Sequence, residues 1–111
     1  MSERRLPQLT EETFERTVAE GGLCVVEFYA DWCTPCGMME PVLLSLSDEY
    51  AGRVRFYRAD ADVLTELAER CDVTTLPCVL LFDKGELKDR TSGAKTRQSL
   101  KDRIECALRG E

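Results

Sequence analysis

Histidine is absent from the 111 residues of this sequence. Histidine is the side chain that most often transfers protons near neutral pH, and it is a common zinc ligand. Its absence excludes catalysis by an imidazole and zinc sites that mix cysteine with histidine. Six cysteines are nevertheless present, so the chemistry that remains open is that of thiols.

Long apolar runs are missing as well. Residues 1–7 contain no apolar segment of the kind found in export signals, and no run elsewhere is long enough to span a bilayer. We therefore expect a cytoplasmic protein with no membrane partner. Because thiols are held reduced in the cytoplasm, the six cysteines should serve redox or metal chemistry rather than a disulfide framework.

Positive charge is in the minority, with 15 Lys and Arg against 21 Asp and Glu and a formal net charge of -6. This excess of carboxylates disfavours a polyphosphate surface, so we expect no nucleic-acid partner and a self-repelling monomer. Repeats, low-complexity tracts and Gly/Ser linkers are also absent, and the hydrophobic fraction of 43% suffices for one core. The sequence predicts a single domain over residues 1–111.

Short apolar runs alternate with helical patterns along the chain. Uninterrupted apolar runs indicate buried strands, and apolar residues at spacings of three and four indicate helices. Asp83-Lys84-Gly85 is a tight-turn signal, so the following segment should return antiparallel. The sequence therefore predicts an α/β fold with a mixed sheet covered on both faces. The predicted strands are 24–30, 54–59, 78–82 and 86–91. Four helices are predicted: one that starts after Thr10, one over 34–50, one that includes Val63 and Leu67, and one that includes Leu100 and Ile104.

The segment Trp32-Cys33-Thr34-Pro35-Cys36 lies between a predicted buried strand and the start of a helix. The unpaired amides and positive dipole end of a helix stabilise a thiolate, so Cys33 should have a lowered pKa and act as the nucleophile. Cys36 lies one turn further in, where it can form a disulfide with Cys33 and resolve a mixed disulfide. Pro35 suits the first helical turn and stiffens the pair.

Glu27 is the exception in its strand, because the residues around it are apolar on both alternating faces. A carboxylate in such surroundings loses water, which raises its pKa. Glu27 is therefore a candidate proton acceptor for Cys36.

This set of motifs resembles the thioredoxin family over nearly the whole chain. The resemblance implies the thioredoxin fold, with a central mixed sheet of four or five strands flanked by helices on both faces. It implies a cis Leu76–Pro77 bond against the cysteine pair, and substrate contacts at Trp32, Leu76, Pro77 and Gly93. The matching segments are residues 28–36, Pro41, Thr75-Leu76-Pro77, Lys84-Gly85 and Gly93-Ala94.

Several positions depart from the family pattern. Arg58 replaces a common lysine, and we expect it to pair with Glu27 and hold that carboxylate ionised. Thr34 replaces a glycine between the cysteines and should modulate the redox potential. Cys78 follows Pro77 directly, so it should start close to the redox pair, either as a packing residue or as a third redox or ligand thiol. The remaining cysteines are interpreted as packing residues: Cys24, Cys71 and Cys106.

The leading hypothesis is a protein-disulfide reductase and electron carrier that serves cell redox homeostasis. Cys33 attacks a substrate disulfide, and Cys36 then displaces the reduced product. The resemblance implies no tightly bound cofactor, electrons from NADPH through a thioredoxin reductase, and substrates such as peroxiredoxins or ribonucleotide reductase. Oxidases and isomerases share this machinery at other potentials, and the expected cytoplasmic location favours a reductase.

Two other classes of function stay open. Cys33, Cys36 and Cys78 could bind a metal ion or an iron-sulfur cluster, with a fourth thiolate from a second copy. A non-catalytic subunit could instead bind a partner through the apolar surface around Trp32 and Leu76.

Overall fold

The structure, a computed structural model, describes residues 4–110. Residues 1–3, where the sequence predicts no export signal, and residue 111, the end of the predicted domain, lie outside the described residues. Strands and helices alternate until a final hairpin and helix. The elements are α1 Glu11–Ala19, β1 Leu23–Tyr29, α2 Thr34–Glu49, β2 Val54–Asp60, α3 Thr65–Arg70, β3 Cys78–Asp83, β4 Glu86–Ser92 and α4 Arg97–Leu108.

The four strands form one mixed sheet in the order β2-β1-β3-β4. Strand β1 pairs in parallel with β2 and antiparallel with β3, and β3 pairs antiparallel with β4. At the β2 edge, Gln8 forms an isolated parallel bridge with Arg58. The predicted mixed sheet between helices is confirmed, and residues 4–110 supply four strands to it. None of the helices within residues 4–110 is long and apolar enough to cross a membrane.

The two faces of the sheet carry separate cores because neighbouring residues of a strand point to opposite sides. On one side, Leu23 and Val25 of β1 pack with residues of α2 and α4; we call this the α2/α4 face. On the other, Cys24, Val26 and Phe28 pack with residues of α1 and α3, the α1/α3 face. Strand β1 is buried along its whole length, so its end delivers the following segment to a fixed place.

The turn between β3 and β4 follows the tight-turn signal. Lys84 has φ 54° and Gly85 has φ 85°, and left-handed residues of this kind fit the twist of a two-residue hairpin. A side chain at Gly85 would also meet the backbone of Ala19 at 3.6 Å. Strand β4 therefore returns antiparallel to β3, as predicted.

The third helix is shorter than its apolar pattern indicates. Val63 was predicted on the buried stripe, but α3 begins at Thr65 and Val63 is 72% exposed. The reason is a turn after β2, in which the amides of Val63 and Leu64 both donate to the carbonyl oxygen of Asp60. Leu64 and Leu67 still enter the core, while Val63 points to solvent.

Two valines allow a matched test of this packing. We expect Val79→Ala to lower the free energy of unfolding by about 2 kcal/mol, because Val79 is fully buried in β3 and its methyl groups leave a cavity. Val63→Ala should change it by less than about 0.5 kcal/mol. Urea unfolding of both variants measures the difference, and equal losses would contradict the placement of Val63.

Candidate active site

Cys33 and Cys36 are joined in a disulfide at the start of α2, with their Cα atoms 5.3 Å apart. Cys33 is the residue that caps the helix, and its Sγ accepts a hydrogen bond of 3.2 Å from the backbone N–H of Cys36. Pro35 occupies the first turn, where its missing N–H costs nothing. The helix end thus directs an amide and its positive dipole at the Cys33 sulfur, the setting that favours a thiolate.

Trp32 exposes its indole next to the disulfide. It is 70% exposed, yet it is held in place because its Nε1 donates a 2.8 Å hydrogen bond to Oδ2 of Asp62. The Asp62 amide in turn donates to Oδ1 of Asp60 at 2.9 Å. Thr34 and Pro35 are also exposed, so this side of the disulfide presents an accessible surface.

The loop before β3 lies against the redox pair. The Leu76–Pro77 peptide bond is cis, as the resemblance implied. Leu76 packs against the cluster that contains Cys33 and Cys36, and the Gly93 amide donates a 2.8 Å hydrogen bond to the carbonyl oxygen of Pro77. The structure thus places Leu76 against the redox pair and joins Gly93 to the neighbouring Pro77.

A groove of about 500 Å³ extends this surface toward α3. Trp32 and Leu76 line it together with residues of α3, and Leu76 also packs against the cluster of the disulfide. Ala61, Ala68 and Val73 supply further apolar lining. An extended segment that reaches the disulfide has room to continue along this groove.

Glu27 is buried on the α2/α4 face, with 3% of its surface exposed. The pKa of this carboxyl is raised to about 8. Loss of water is the main cause, the Glu40 carboxylate adds to it, and the Arg58 guanidinium offsets part of the rise. Its Oε2 atom is buried and has no hydrogen-bond partner. The predicted burial of Glu27 is therefore observed, and its pKa lies close to neutral pH.

The predicted ion pair between Arg58 and Glu27 is wrong. The two residues are neighbours across β1 and β2, but the Arg58 guanidinium donates to Oε1 of Glu40 at 2.8 Å and lies 4.0 Å above the centre of the Tyr29 ring. Arg58 therefore does not hold Glu27 ionised. Glu40 was not selected from the sequence, although its position four residues after Cys36 places both side chains on one face of α2.

A polar cavity of about 240 Å³ lies behind the disulfide. Both cysteines line it, together with Glu40, Arg58 and Tyr29. The pair is thus bordered by an exposed surface on the Trp32 side and by a cavity that Glu40 and Arg58 line with charge.

Cys78 does not belong to this site. Its side chain is 1% exposed and packs on the α1/α3 face, whereas Cys33 and Cys36 cluster with other residues. No group of three or more cysteines or carboxylates within residues 4–110 is arranged to hold a metal ion. The structure therefore does not assemble the three-thiolate site of the alternative hypothesis, in which Cys33, Cys36 and Cys78 would bind a metal ion or cluster.

The other cysteines also lie away from the redox pair. Cys24 is fully buried on the α1/α3 face, and Cys71 packs at the edge of the same core. Cys106 is half-buried on α4. These positions agree with their interpretation as packing residues.

The family model for thioredoxin matches residues 5–106. The chain belongs to the thioredoxin family. It is 36% identical over 104 residues to thioredoxin M4 of Arabidopsis thaliana chloroplasts, covering 93% of this chain and 54% of the relative. It is 33% identical over 101 residues to thioredoxin of Rickettsia felis, covering 90% and 96%. The resemblance inferred from the motifs is confirmed, and members of this family are protein-disulfide oxidoreductases.

Solved structures agree with this assignment. A structure of Plasmodium falciparum thioredoxin superposes with a TM-score of 0.83 at 28% identity, covering 90% of this chain and 97% of the other. A second, from work on thiol resolution in a yeast mitochondrial 1-Cys peroxiredoxin through the glutathione and thioredoxin systems, gives 0.82 at 32% identity, covering 90% and 93%.

The comparisons correct the expected cytoplasmic location. Four of the matched relatives, from Arabidopsis thaliana, Pisum sativum, Brassica napus and Spinacia oleracea, are chloroplastic M-type thioredoxins. An amino-terminal segment without an apolar stretch therefore did not establish the compartment. The chain spans about half the length of these plant relatives.

The burial of Glu27 predicts how stability depends on pH. The native protein keeps the Glu27 proton up to about pH 8, whereas an ordinary glutamate releases it near 4.5. Between these values the unfolded chain binds fewer protons, so the contribution of Glu27 to stability falls as pH rises, by at most about 1.4 kcal/mol per pH unit. Glu27→Gln should therefore match the wild type near pH 4.5 and become more stable than it toward pH 8.

Urea unfolding of the oxidised protein at a series of pH values tests this. Glu66→Gln, which removes a carboxylate from the exposed side of α3, is the control and should follow the wild-type dependence. A constant difference between Glu27→Gln and the wild type from pH 4.5 to 8 would mean that Glu27 does not titrate abnormally.

Proposed function

We propose that this chain is a protein-disulfide reductase and electron carrier that cycles between the Cys33–Cys36 disulfide and the dithiol. The observation that carries the proposal is the Cys33–Cys36 disulfide at the start of α2, with Leu76 of the cis Leu76–Pro77 loop packed against it. Family membership supports the reaction class.

Cys33 is the attacking residue in this proposal. Its sulfur caps the helix and accepts the Cys36 amide, which favours the thiolate in the reduced protein. The Cys33 thiolate attacks one sulfur of the substrate disulfide, the substrate S–S bond breaks, and one substrate thiolate leaves. The Cys36 thiolate then attacks the Cys33 sulfur and releases the second substrate thiolate, so that two electrons pass to the substrate.

Glu27 handles the proton of Cys36. A carboxyl with a pKa of about 8 exists in both forms around neutral pH, which suits a group that both accepts and returns a proton. As a carboxylate, Glu27 accepts the proton when the Cys36 thiol becomes a thiolate. When the disulfide is reduced again, protonated Glu27 returns the proton to Cys36.

Substrates bind on the exposed side of the disulfide. Backbone groups of Leu76 pair with an extended substrate segment, and Trp32, Pro77 and Gly93 border it. The proximity of these residues to the redox pair supports this assignment. Pro35 keeps the pair stiff, and Thr34 modulates its redox potential.

Partners follow from the family. Electrons come from NADPH through a thioredoxin reductase, and the chain itself carries no tightly bound cofactor. Peroxiredoxins are proposed substrates because a structural neighbour was determined in work on one, and ribonucleotide reductase is proposed from the resemblance. The expected cytoplasmic location no longer supports the reductase direction. The similarity to thioredoxins supports it instead. The chain acts as a single domain over residues 1–111 and as a monomer.

Cysteine variants test the two roles. With NADPH, a thioredoxin reductase and insulin as the disulfide substrate, Cys33→Ser should lower NADPH consumption at least about 100-fold, because the nucleophile is lost. Cys36→Ser should accumulate a mixed disulfide with insulin, visible on non-reducing gels. Cys106→Ser, on α4, is the control and should turn over at the wild-type rate. Substantial activity of Cys33→Ser would contradict the assignment of the nucleophile.

The redox potential gives a second test. Trp32 is the only tryptophan in the sequence and adjoins Cys33, so its fluorescence should report the state of the pair. Titration in defined dithiol buffers should give one two-electron transition at the reducing end of the range for thiol-disulfide proteins. A strongly oxidising midpoint would point to an oxidase or isomerase, and no transition would rule out redox cycling.

A further inference from the structure

Glu40 occupies a part of the site to which the reaction above assigns no role. It lies on α2 one turn after Cys36 and lines the cavity behind the disulfide. Its Oε1 accepts a 2.8 Å hydrogen bond from Arg58, and the two side chains are 23% and 8% exposed. Glu40 therefore forms a mostly buried ion pair next to the resolving cysteine.

Arg58 has a second carboxylate close to its own backbone. In the parallel pairing of β1 and β2, Arg58 and Glu27 are direct neighbours. Both side chains have an unsatisfied buried atom, Nε of Arg58 and Oε2 of Glu27. Buried polar groups without partners are costly, so an unrestrained Arg58 guanidinium would be drawn to Glu27.

Two contacts hold Arg58 elsewhere. The first is the ion pair with Glu40. The second is the Tyr29 ring, whose centre lies 4.0 Å below the guanidinium carbon, a favourable cation–π distance. Tyr29 is itself fixed, because its hydroxyl oxygen accepts a 2.7 Å hydrogen bond from Gln8.

The charges near Glu27 come from two elements. Glu40, on α2, raises the pKa of Glu27, and Arg58, on β2, lowers it. Arg5 and Asp31 also line the cavity that Glu40 and Arg58 line. A shift of the guanidinium from Glu40 to Glu27 would therefore bring the positive charge against Glu27 and lower its pKa.

We propose that Glu40 is a positioning residue: it holds the Arg58 guanidinium in the cavity behind the disulfide and away from Glu27, which leaves Glu27 able to exchange protons instead of being locked in an ion pair. The placement of Arg58 rests on the geometry alone. Only the consequence for turnover rests on the proposed function, in which Glu27 exchanges a proton with Cys36.

The first measurement follows the carboxyl ¹³C signal of Glu27 against pH in the oxidised protein. In Glu40→Met the negative charge and the hold on Arg58 are both lost, so the pKa of Glu27 should fall by at least one unit, a tenfold loss of proton affinity. Glu49→Met is the matched control on the same helix, because Glu49 forms its ion pairs with Arg97 and Lys101. It should leave the Glu27 signal unchanged.

A double-mutant cycle separates the position of Arg58 from the charge of Glu40. In an Arg58→Met background, Glu40→Met removes the charge of Glu40 but has no guanidinium to release. The fall in the Glu27 pKa should then be clearly smaller than in the presence of Arg58. In the proteins that keep Glu40, its own carboxyl signal is followed in the same spectra. The pKa values of Glu27 are compared only over the pH range in which Glu40 is ionised.

Either of two results would overturn the proposal: no change of the Glu27 titration in Glu40→Met, or equal falls with and without Arg58. The pH profile of insulin reduction is a separate readout. If the Glu27 titration moves as expected while the rate profile of Glu40→Met stays that of the wild type, the positioning role of Glu40 is supported and the proton-transfer role of Glu27 is overturned.

Discussion

The first turn of α2 has to satisfy helix capping and thiol chemistry with the same atom. Helices usually begin with an oxygen side chain that accepts a free amide hydrogen, and here the Cys33 sulfur accepts the Cys36 amide instead. The same contact that starts the helix therefore stabilises negative charge on the nucleophile. The fully buried strand β1 leads the chain to this point, and the sheet fixes β1 from both sides through β2 and β3. The position of the redox pair is thus set by the sheet, because β2 and β3 hold the strand that leads to it.

Burial of Glu27 at the site opposes the stability of the fold. A carboxyl that is 3% exposed in a central strand, with one oxygen unpartnered, is a worse choice for stability than an apolar residue of similar size. An ion pair with Arg58 would partly relieve this cost, and the neighbouring positions on β1 and β2 would permit it. The structure leaves the cost in place by directing Arg58 to Glu40. The burial that makes this carboxyl unfavourable for folding is also the main cause of its raised pKa of about 8.

The sequence predicted the elements of the fold well because each rests on a local signal. Apolar runs gave β1 and β3, and the tight-turn residues Lys84 and Gly85 gave the hairpin. The pair Cys33 and Cys36 was evident from its place between strand and helix. Val63 was misplaced because the turn that follows β2 competes with the helical pattern for the same residues.

Side-chain partners were harder to predict than elements. The pairing of β1 with β2 makes Arg58 a neighbour of Glu27. A long arginine side chain can nevertheless pair with any carboxylate within its reach, and here it pairs with Glu40 of α2. Cys78 illustrates the opposite problem. It follows Pro77 directly in the sequence, yet its side chain packs on the α1/α3 face, in a different core from the redox pair. Neither the partner of Arg58 nor the face on which Cys78 packs follows from spacing along the sequence, because both depend on how the helices pack on the sheet.

The division between the two faces also explains how one reactive pair coexists with further cysteines. Burial raises the pKa of Cys24 to about 11 and also raises those of Cys71 and Cys78, so these thiols stay protonated at neutral pH. The thiolate is the form that attacks disulfides. Cys33 differs because it lies at a helix end that stabilises the anion. The α1/α3 face therefore disfavours the thiolate form of these three cysteines, whereas the helix end favours it at Cys33.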